Sequence, residues 1–301
     1  MWQFLGDRQL IWGDSRRDRF ANRTYLMGVL NVTPDSFSDG GQFNTLDAAL
    51  QQAHRLAQDG ADLLDIGGQS TRPQAEDVAL EEELRRVIPV IQAIRQGSAD
   101  FAPLDTPISV DTTKAAVARA AIAAGADVVN DISGATFDPD MLSTVAELGV
   151  PIVLMHIRGT PKTMQQLTDY QDVVGEVYDF LARRIEAAIA HGIPHHHIAI
   201  DPGIGFAKTA AQSLELLRCL EAFKPLGCPI LIGPSRKSFI GHILNQPDPQ
   251  QRIWGTAAAC AMAIAHGADI LRVHDVAEMR DVCRVADAIA RGAEVGRAEA
   301  M

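Results

Sequence analysis

Along the chain, short apolar runs alternate with longer stretches in which apolar residues recur every three or four positions. The runs fall at 26–32, 63–66, 108–111, 128–132, 152–156, 198–201, 230–233 and 270–274. They are short and rich in Val, Ile and Leu, as expected of parallel strands covered on both faces. Helical spacing between them predicts helices near 46–58, 81–95, 114–124, 140–148, 173–190, 211–223, 253–265 and 277–291. Strict alternation of this kind implies an α/β chain with a parallel sheet. Eight such units match a (β/α)8 TIM barrel, with an open doubly wound sheet as the weaker alternative. Ahead of the first long run, Trp2-Gln3-Phe4 and Leu10-Ile11-Trp12 flank Gly6-Asp7-Arg8, which predicts a short N-terminal β-hairpin covering one end of the fold. Residues 1–301 are expected to form a single domain, with 1–23 as hairpin and extension.

Polar residues interrupt the pattern in phase. Asn31, Asp111, Asn130, His156, Asp201, Lys237, Arg272 and His274 stand at or just beyond the C-terminal ends of the predicted strands. In a barrel those ends converge on one mouth, where active sites sit. After the first run comes Thr33-Pro34-Asp35-Ser36-Phe37-Ser38-Asp39-Gly40-Gly41, too dense in carboxylates and hydroxyls to be only a turn. The second loop, Gly67-Gly68-Gln69-Ser70-Thr71-Arg72-Pro73, offers hydroxyls and a guanidinium on a glycine-hinged segment suited to a bound anion.

Composition narrows the choices. A net charge of −11 argues against nucleic-acid or anionic-membrane partners recruited by bulk electrostatics. The polar start of the chain does not look like a signal peptide, and no apolar run approaches a membrane span. Cys219, Cys228, Cys260 and Cys283 lack C-x-x-C spacing and are expected to be buried free thiols, consistent with a reducing, cytoplasmic setting. No G-x-G-x-x-G or G-x-x-x-x-G-K-[ST] follows any strand, so dinucleotide and nucleoside triphosphate folds lose support. His191 and the run His195-His196-His197 precede the sixth strand, at the end opposite the mouth, and lack Cys or carboxylate partners at ligand spacing.

Asp111, Asn130, Asp201 and Lys237 supply two carboxylates, an amide and an ammonium. A flat heterocycle with amidine-like N–H groups on one edge and a carbonyl on another would suit them. A structural alternative is a set of buried ion pairs such as Asp201–Lys237. Arg272 and His274, two apart on one strand face, suit an oxyanion. Asn31 could give Mg²⁺ one neutral oxygen, with water and phosphate oxygens completing the shell.

The motifs carry a resemblance. M-G-V-L-N-V-T-P-D-S-F-S-D-G-G at 27–41 and D-I-G-G-Q-S-T-R-P at 65–73 closely resemble the two signatures of the dihydropteroate synthase family. S-V-D-T, N-D-I-S-G, L-M-H, G-T-P-x-T-M-Q, D-P-G-I-G-F, S-R-K-S and R-V-H-D-V extend the likeness over most of the chain. The resemblance implies condensation of a hydroxymethyl-dihydropterin diphosphate with p-aminobenzoate, giving dihydropteroate and diphosphate. It implies that Asp111, Asn130, Asp201 and Lys237, with Met155 and Gly233, hold the pterin. Asn31, Arg272 and His274 would hold the diphosphate with Mg²⁺, Asp35 assisting the metal. Thr71, Arg72, Pro73, Phe37, Phe206 and Ser238 would frame the aminobenzoate, where sulfonamides are expected to compete. A homodimer, formed through the late helices, is also expected from the family. Gln69, Gln74 and Thr113 depart from the usual pattern, where Glu, Gly and an aromatic are common. Rival readings are a methyltetrahydrofolate-dependent methyltransferase barrel, which has no use for the S-T-R-P and S-R-K-S segments, and a catalytically silent pterin-binding paralogue, which needs a lost site residue.

Overall fold

The computed structural model describes residues 3–5, 9–11, 23–33, 42–72 and 76–292. A two-stranded antiparallel hairpin pairs β1 (Gln3–Leu5) with β2 (Gln9–Ile11), Gln3 opposite Ile11. The parallel sheet follows: β3 (Tyr25–Asn31), β4 (Leu63–Gly67), β5 (Ile108–Asp111), β6 (Val128–Asp131), β7 (Ile152–Met155), β8 (Ile198–Asp201), β9 (Leu231–Ile232) and β10 (Ile270–Val273). Its order is β8-β7-β6-β5-β4-β3-β10-β9, and a single bridge from Ile200 to Ile230 brings β8 beside β9. The eight strands therefore form a nearly closed (β/α)8 barrel, as the alternation predicts.

Its helices are α1 (Gln42–Asp59), α2 (Leu80–Gln96), α3 (Ala115–Ala124), α4 (Met141–Leu148), α5 (Val173–Ala190), α6 (Ala210–Arg218), α7 (Ser238–Leu244), α8 (Ile253–Ala265) and α9 (Val276–Arg291). Three local details differ from the sequence pattern, the first being that the helix expected over 211–223 ends at Arg218 and gives way to a 3-10 segment, Leu220–Leu226. The predicted strand 230–233 is reduced to Leu231–Ile232, and α7, which the apolar spacing did not reveal, intervenes before α8. Seven residues give too short a pattern to stand out. Pro249 and Asp248, which caps a short 3-10 turn, then separate α7 from α8.

Strand alternation divides the core in two. Tyr25, Met27, Leu63, Val128, Val153, Ala199, Leu231 and Ile270 form one buried cluster inside the barrel. Their neighbours point outward and pack under the helices in the larger cluster, among them Leu26, Leu64, Ile66, Val129, Ile152, Leu154, Ile198, Ile200, Ile232 and Leu271. Gly28 is outward-facing, where a Cβ would lie 3.2 Å from Val276 and 3.3 Å from Ala61, so its lack of a side chain lets helices close on β3. Three of the four cysteines are buried as expected. Cys219 is exposed, because it caps the end of α6 rather than facing the core. No described helix is long and apolar enough to cross a membrane.

Candidate active site

Moving two residues along each strand from the inner apolar cluster keeps the same face and reaches the mouth. There Leu63 leads to Asp65, Val128 to Asn130, Val153 to Met155, Ala199 to Asp201, Leu231 to Gly233 and Ile270 to Arg272. Asp111 follows Ser109 by the same step, and Asn31 follows Met27 by two such steps. The barrel thus brings Asp111, Asn130, Met155, Asp201, Gly233 and Arg272 onto one inward layer, as the phase of the polar ends anticipates.

The centre of this layer is Arg272. Its Nε donates to Asp65 Oδ2 at 2.6 Å and its Nη2 to Asp111 Oδ2 at 2.9 Å. Nη1 has no partner among the described residues. Asp65 also accepts from Asn130 Nδ2, at 3.3 Å to each oxygen, and is fully buried. Asp65 lies inside the apolar run 63–66, where no local signature marks it for chemistry. Its parity with Leu63, which puts both on the inner face, was the available signal.

Electrostatics separate the groups. Burial pushes Asp111 up to about 7, against the pull of Arg272 and helped by the repulsion of Asp65, Glu83 and Asp131. Burial pushes Asp201 up to about 6, opposed by the Gly203 N–H, which donates to its Oδ1 at 2.7 Å, and by Lys237, Lys208 and Arg272. Lys237 is drawn down to about 8 by burial and by Arg272, with Asp201 and Asp111 opposing. For Arg272 burial disfavours the charge, but Asp65 and Asp111 outweigh it and raise the guanidinium above its ordinary value. Among the described residues Lys237 forms no ion pair, so the structural alternative of an Asp201–Lys237 bridge is not realised. Its ammonium lies 4.1 Å from the centre of the Phe206 ring.

The turn carrying Lys237 is held from behind. Arg236 adopts φ +60°, a left-handed conformation that costs a non-glycine residue about 1 kcal/mol. Arg236 pairs with Asp275 at 3.0 Å and 2.5 Å, while buried Arg252 donates to the Arg236 carbonyl at 2.9 Å. Ser238, next along, is exposed and begins α7.

His274 leaves the strand beside Ser235. The Ser235 hydroxyl accepts from the His274 backbone N–H at 3.3 Å and lies 3.0 Å from Nδ1. A hydroxyl carries one proton and two acceptor lone pairs, so this contact holds the imidazole in place and is compatible with either ring tautomer. Burial, then Arg272 and Arg236, lower His274 to about 3, so it is a neutral N–H donor rather than a cation.

An apolar wall adjoins the polar layer: Ile132, Met155, Ile157, Met164 and Ala207 cluster with Phe206 packed against them. Behind it, His156 Nδ1 meets buried Lys208 Nζ at 2.9 Å, and Lys208 also donates to the Phe206 carbonyl at 2.8 Å. Burial, then Lys208 and Arg158, lower His156 to about 2, so it serves as a neutral acceptor. Lys208 is a supporting residue that sequence reasoning missed, since nothing in its spacing marks it.

Thr71 is half-buried and Arg72 exposed on the loop after β4. Asp35, Phe37, Pro73 and Gln74 lie outside the described residues. No group of three or more His, Cys, Asp or Glu able to hold a metal ion occurs among the described residues. His195 is at the opposite end, 3.1 Å from the Leu226 carbonyl and 3.5 Å from Cys228 Sγ. Asn31 has no side-chain partner among the described residues. An amide oxygen is the hard, neutral donor type that a cation keeping several waters and phosphate oxygens takes.

Comparison with known proteins gives consistent matches. The family model of pterin binding enzymes matches residues 27–274. The dihydropteroate synthase of Synechocystis sp. is 59% identical over 287 residues, covering 95% of this chain and 94% of that one. Among solved structures, the Xanthomonas albilineans dihydropteroate synthase with 4-aminobenzoic acid is 48% identical, with a TM-score of 0.82, covering 91% of this chain and 94% of that one. The Yersinia pestis dihydropteroate synthase with a sulfonamide drug complex is 44% identical, with a TM-score of 0.83 and coverage of 90% and 95%.

Proposed function

The chain belongs to the pterin binding enzymes and, within them, to the dihydropteroate synthases, and from that premise we propose how its residues divide the work. The protein is a transferase that condenses 6-hydroxymethyl-7,8-dihydropterin diphosphate with p-aminobenzoate to give 7,8-dihydropteroate and diphosphate. One C–N bond forms at the pterin methylene, one C–O bond to diphosphate breaks, and the aniline nitrogen loses a proton. The observation that carries the assignment is the inward layer of Asp111, Asn130, Asp201 and Arg272 above a closed apolar floor, with Lys237 beside it. Neither rival reading is favoured by any feature of this site.

Asp111, Asn130, Asp201 and Lys237, with Met155 and Gly233 beside them, hold the pterin. The carboxylates accept its amidine-like N–H groups, and Lys237 donates to a carbonyl or ring nitrogen. Arg272 offers Nη1, and neutral His274, as its Nε2–H tautomer, that N–H, to the departing diphosphate. Asp65 holds Arg272 in place. Thr71, Arg72, Phe206 and Ser238, with Pro73 and Phe37, frame the aminobenzoate, where sulfonamides compete. Asn31, assisted by Asp35, would hold Mg²⁺, which when bound neutralises diphosphate charge. The aniline is itself the nucleophile, so catalysis rests on preorganised groups that stabilise the leaving group and an electron-poor methylene. This favours a dissociative displacement, and an α-secondary isotope effect near unity on the methylene would count against it.

A homodimer through the late helices belongs to the same proposal. Trp254 and Met262 on α8, and Val285 and Ile289 on α9, are large, exposed and apolar, Trp254 at 82% and Ile289 at 81%. Ile289→Glu should yield monomers in sedimentation; an unchanged mass would point elsewhere. A reducing, cytoplasmic setting is supported by four free thiols, three of them buried.

Diphosphate release from the purified protein, with dihydropterin diphosphate, p-aminobenzoate and Mg²⁺ omitted in turn, tests the whole scheme. Release should require all three and yield dihydropteroate. Pterin binding without turnover would support the silent-paralogue reading.

A further inference from the structure

Behind the pterin layer, a buried carboxylate joins two substrate loops. Glu83, in the first turn of α2, is 1% exposed. Its Oε1 accepts from Thr112 Oγ1 at 2.6 Å and its Oε2 from Lys114 Nζ at 2.5 Å. The same ammonium donates to Gln69 Oε1 at 3.0 Å. Because lysine only donates, the amide orientation of Gln69 is determined by this contact. Thr112 follows Asp111 directly, and Gln69 lies on the loop that carries Thr71 and Arg72.

The loop is also pressed onto α2 at Gly68. Its carbonyl accepts from Arg86 Nη1 at 2.8 Å, and a Cβ there would stand 2.8 Å from Val87 and 3.2 Å from Glu83. Further along the described part of the loop the holding is slight: the Arg72 N–H meets Ser70 Oγ at 3.4 Å. Gln69 is therefore the last described residue of the loop whose side chain ties it to the rest of the fold before Thr71 and Arg72.

We propose that Lys114 and Gln69 are positioning residues, a strut footed on Glu83 that sets the aminobenzoate loop at a defined distance from Asp111. The proposal rests on the aminobenzoate subsite assigned above. The strut couples the two halves of the reaction: Thr112 and Glu83 tie it to the pterin side, and Gln69 ties it to the aminobenzoate side. The neutral amide of Gln69 competes weakly with the Glu83 carboxylate for one ammonium, so this joint is the soft one. A carboxylate at 69 would make it ionic and firmer.

The test uses the full-length enzyme with Gln69→Ala and Gln69→Glu, which alter the joint while leaving the buried Lys114–Glu83 pair intact. Gln69→Ala should raise KM for p-aminobenzoate about tenfold, the scale of one lost charge-assisted hydrogen bond. Its kcat, melting temperature and affinity for a free hydroxymethylpterin should be essentially unchanged. Gln69→Glu should move the same KM the opposite way. Lys114→Met should raise the same KM but also lower the melting temperature, because it strands the buried Glu83 carboxylate, and Lys114→Arg should restore most of both. An unaltered aminobenzoate KM in both Gln69 variants, with wild type turning over, overturns the strut. So does a matching loss of pterin affinity or kcat, which marks a general structural role. Absence of wild-type turnover instead removes the subsite assignment beneath it.

Discussion

Arg95 and Arg272 both bury a guanidinium at an end of the barrel, beside an aspartate. Arg95, below the starts of β5 and β6, gives Nε to the Gly125 carbonyl, Nη1 to the Leu104 and Thr106 carbonyls, and Nη2 to Asp127, all between 2.6 and 2.8 Å. Asp127 in turn accepts from the Ile108 N–H at 2.8 Å. Arg272, at the opposite end, spans two carboxylates and keeps Nη1 without a partner among the described residues, and one of those carboxylates is raised to about 7. The first arrangement satisfies its charge with local backbone and closes the fold. The second pairs its charge with two carboxylates yet leaves one N–H edge unbonded, the edge that the proposed function assigns to a substrate anion.

The contrast can be broken most directly at Arg272. Arg272→Ala should lower kcat/KM by about a thousandfold and weaken diphosphate-bearing substrate far more than free pterin. Equal weakening of both ligands in calorimetry would remove its anion role. Arg95→Ala should do the reverse: about 3 kcal/mol of unfolding free energy lost in urea titration, with the folded fraction retaining its specific activity. Loss of activity without loss of stability would invert the comparison.

Asp201→Asn sharpens it. Pterin affinity should fall about tenfold to a hundredfold by calorimetry without a large drop in melting temperature. A large drop would restore a structural role for Asp201. The pH dependence of stability follows from the same carboxyl, whose ordinary value of 3.8 rises to about 6 on folding. Between those values the native state holds the extra proton, so stability falls as pH rises through that window and the penalty is complete above it. Asp201→Asn should flatten that part of the stability profile, and a profile identical to wild type would contradict the assignment. The smallest effect is expected of Ser235→Ala. It removes the hydroxyl that holds the His274 ring and should cost about threefold to tenfold in kcat/KM, with aminobenzoate KM unaltered.

The repeating strands and helices were legible because a two-sided strand must be apolar and a barrel helix must be amphipathic. The mouth residues were legible because they break that pattern in phase. Asp65 was not, since one carboxylate within an apolar run looks like noise until its strand parity is paired with Arg272, more than two hundred residues away. Lys208, Arg252 and Glu83 were invisible for a related reason: each acts through contacts set by tertiary folding, and none has a local signature. The exposed Cys219 shows the limit of inferring burial from an apolar neighbourhood.

Closure of the cylinder between β8 and β9 rests on little more than the Ile200–Ile230 bridge, next to a strand of two residues. Asp201 ends one edge of that join, and Lys237 follows the other. On the pterin assignment proposed above, a heterocycle gripped by both would act as a rivet across the weakest line of the hoop. Pterin occupancy would then be readable in hydrogen exchange, as slowed amides at Ile200 and Leu231, the two that bridge the seam. An inhibitor that fills only the aminobenzoate side would leave the seam as loose as in the empty enzyme.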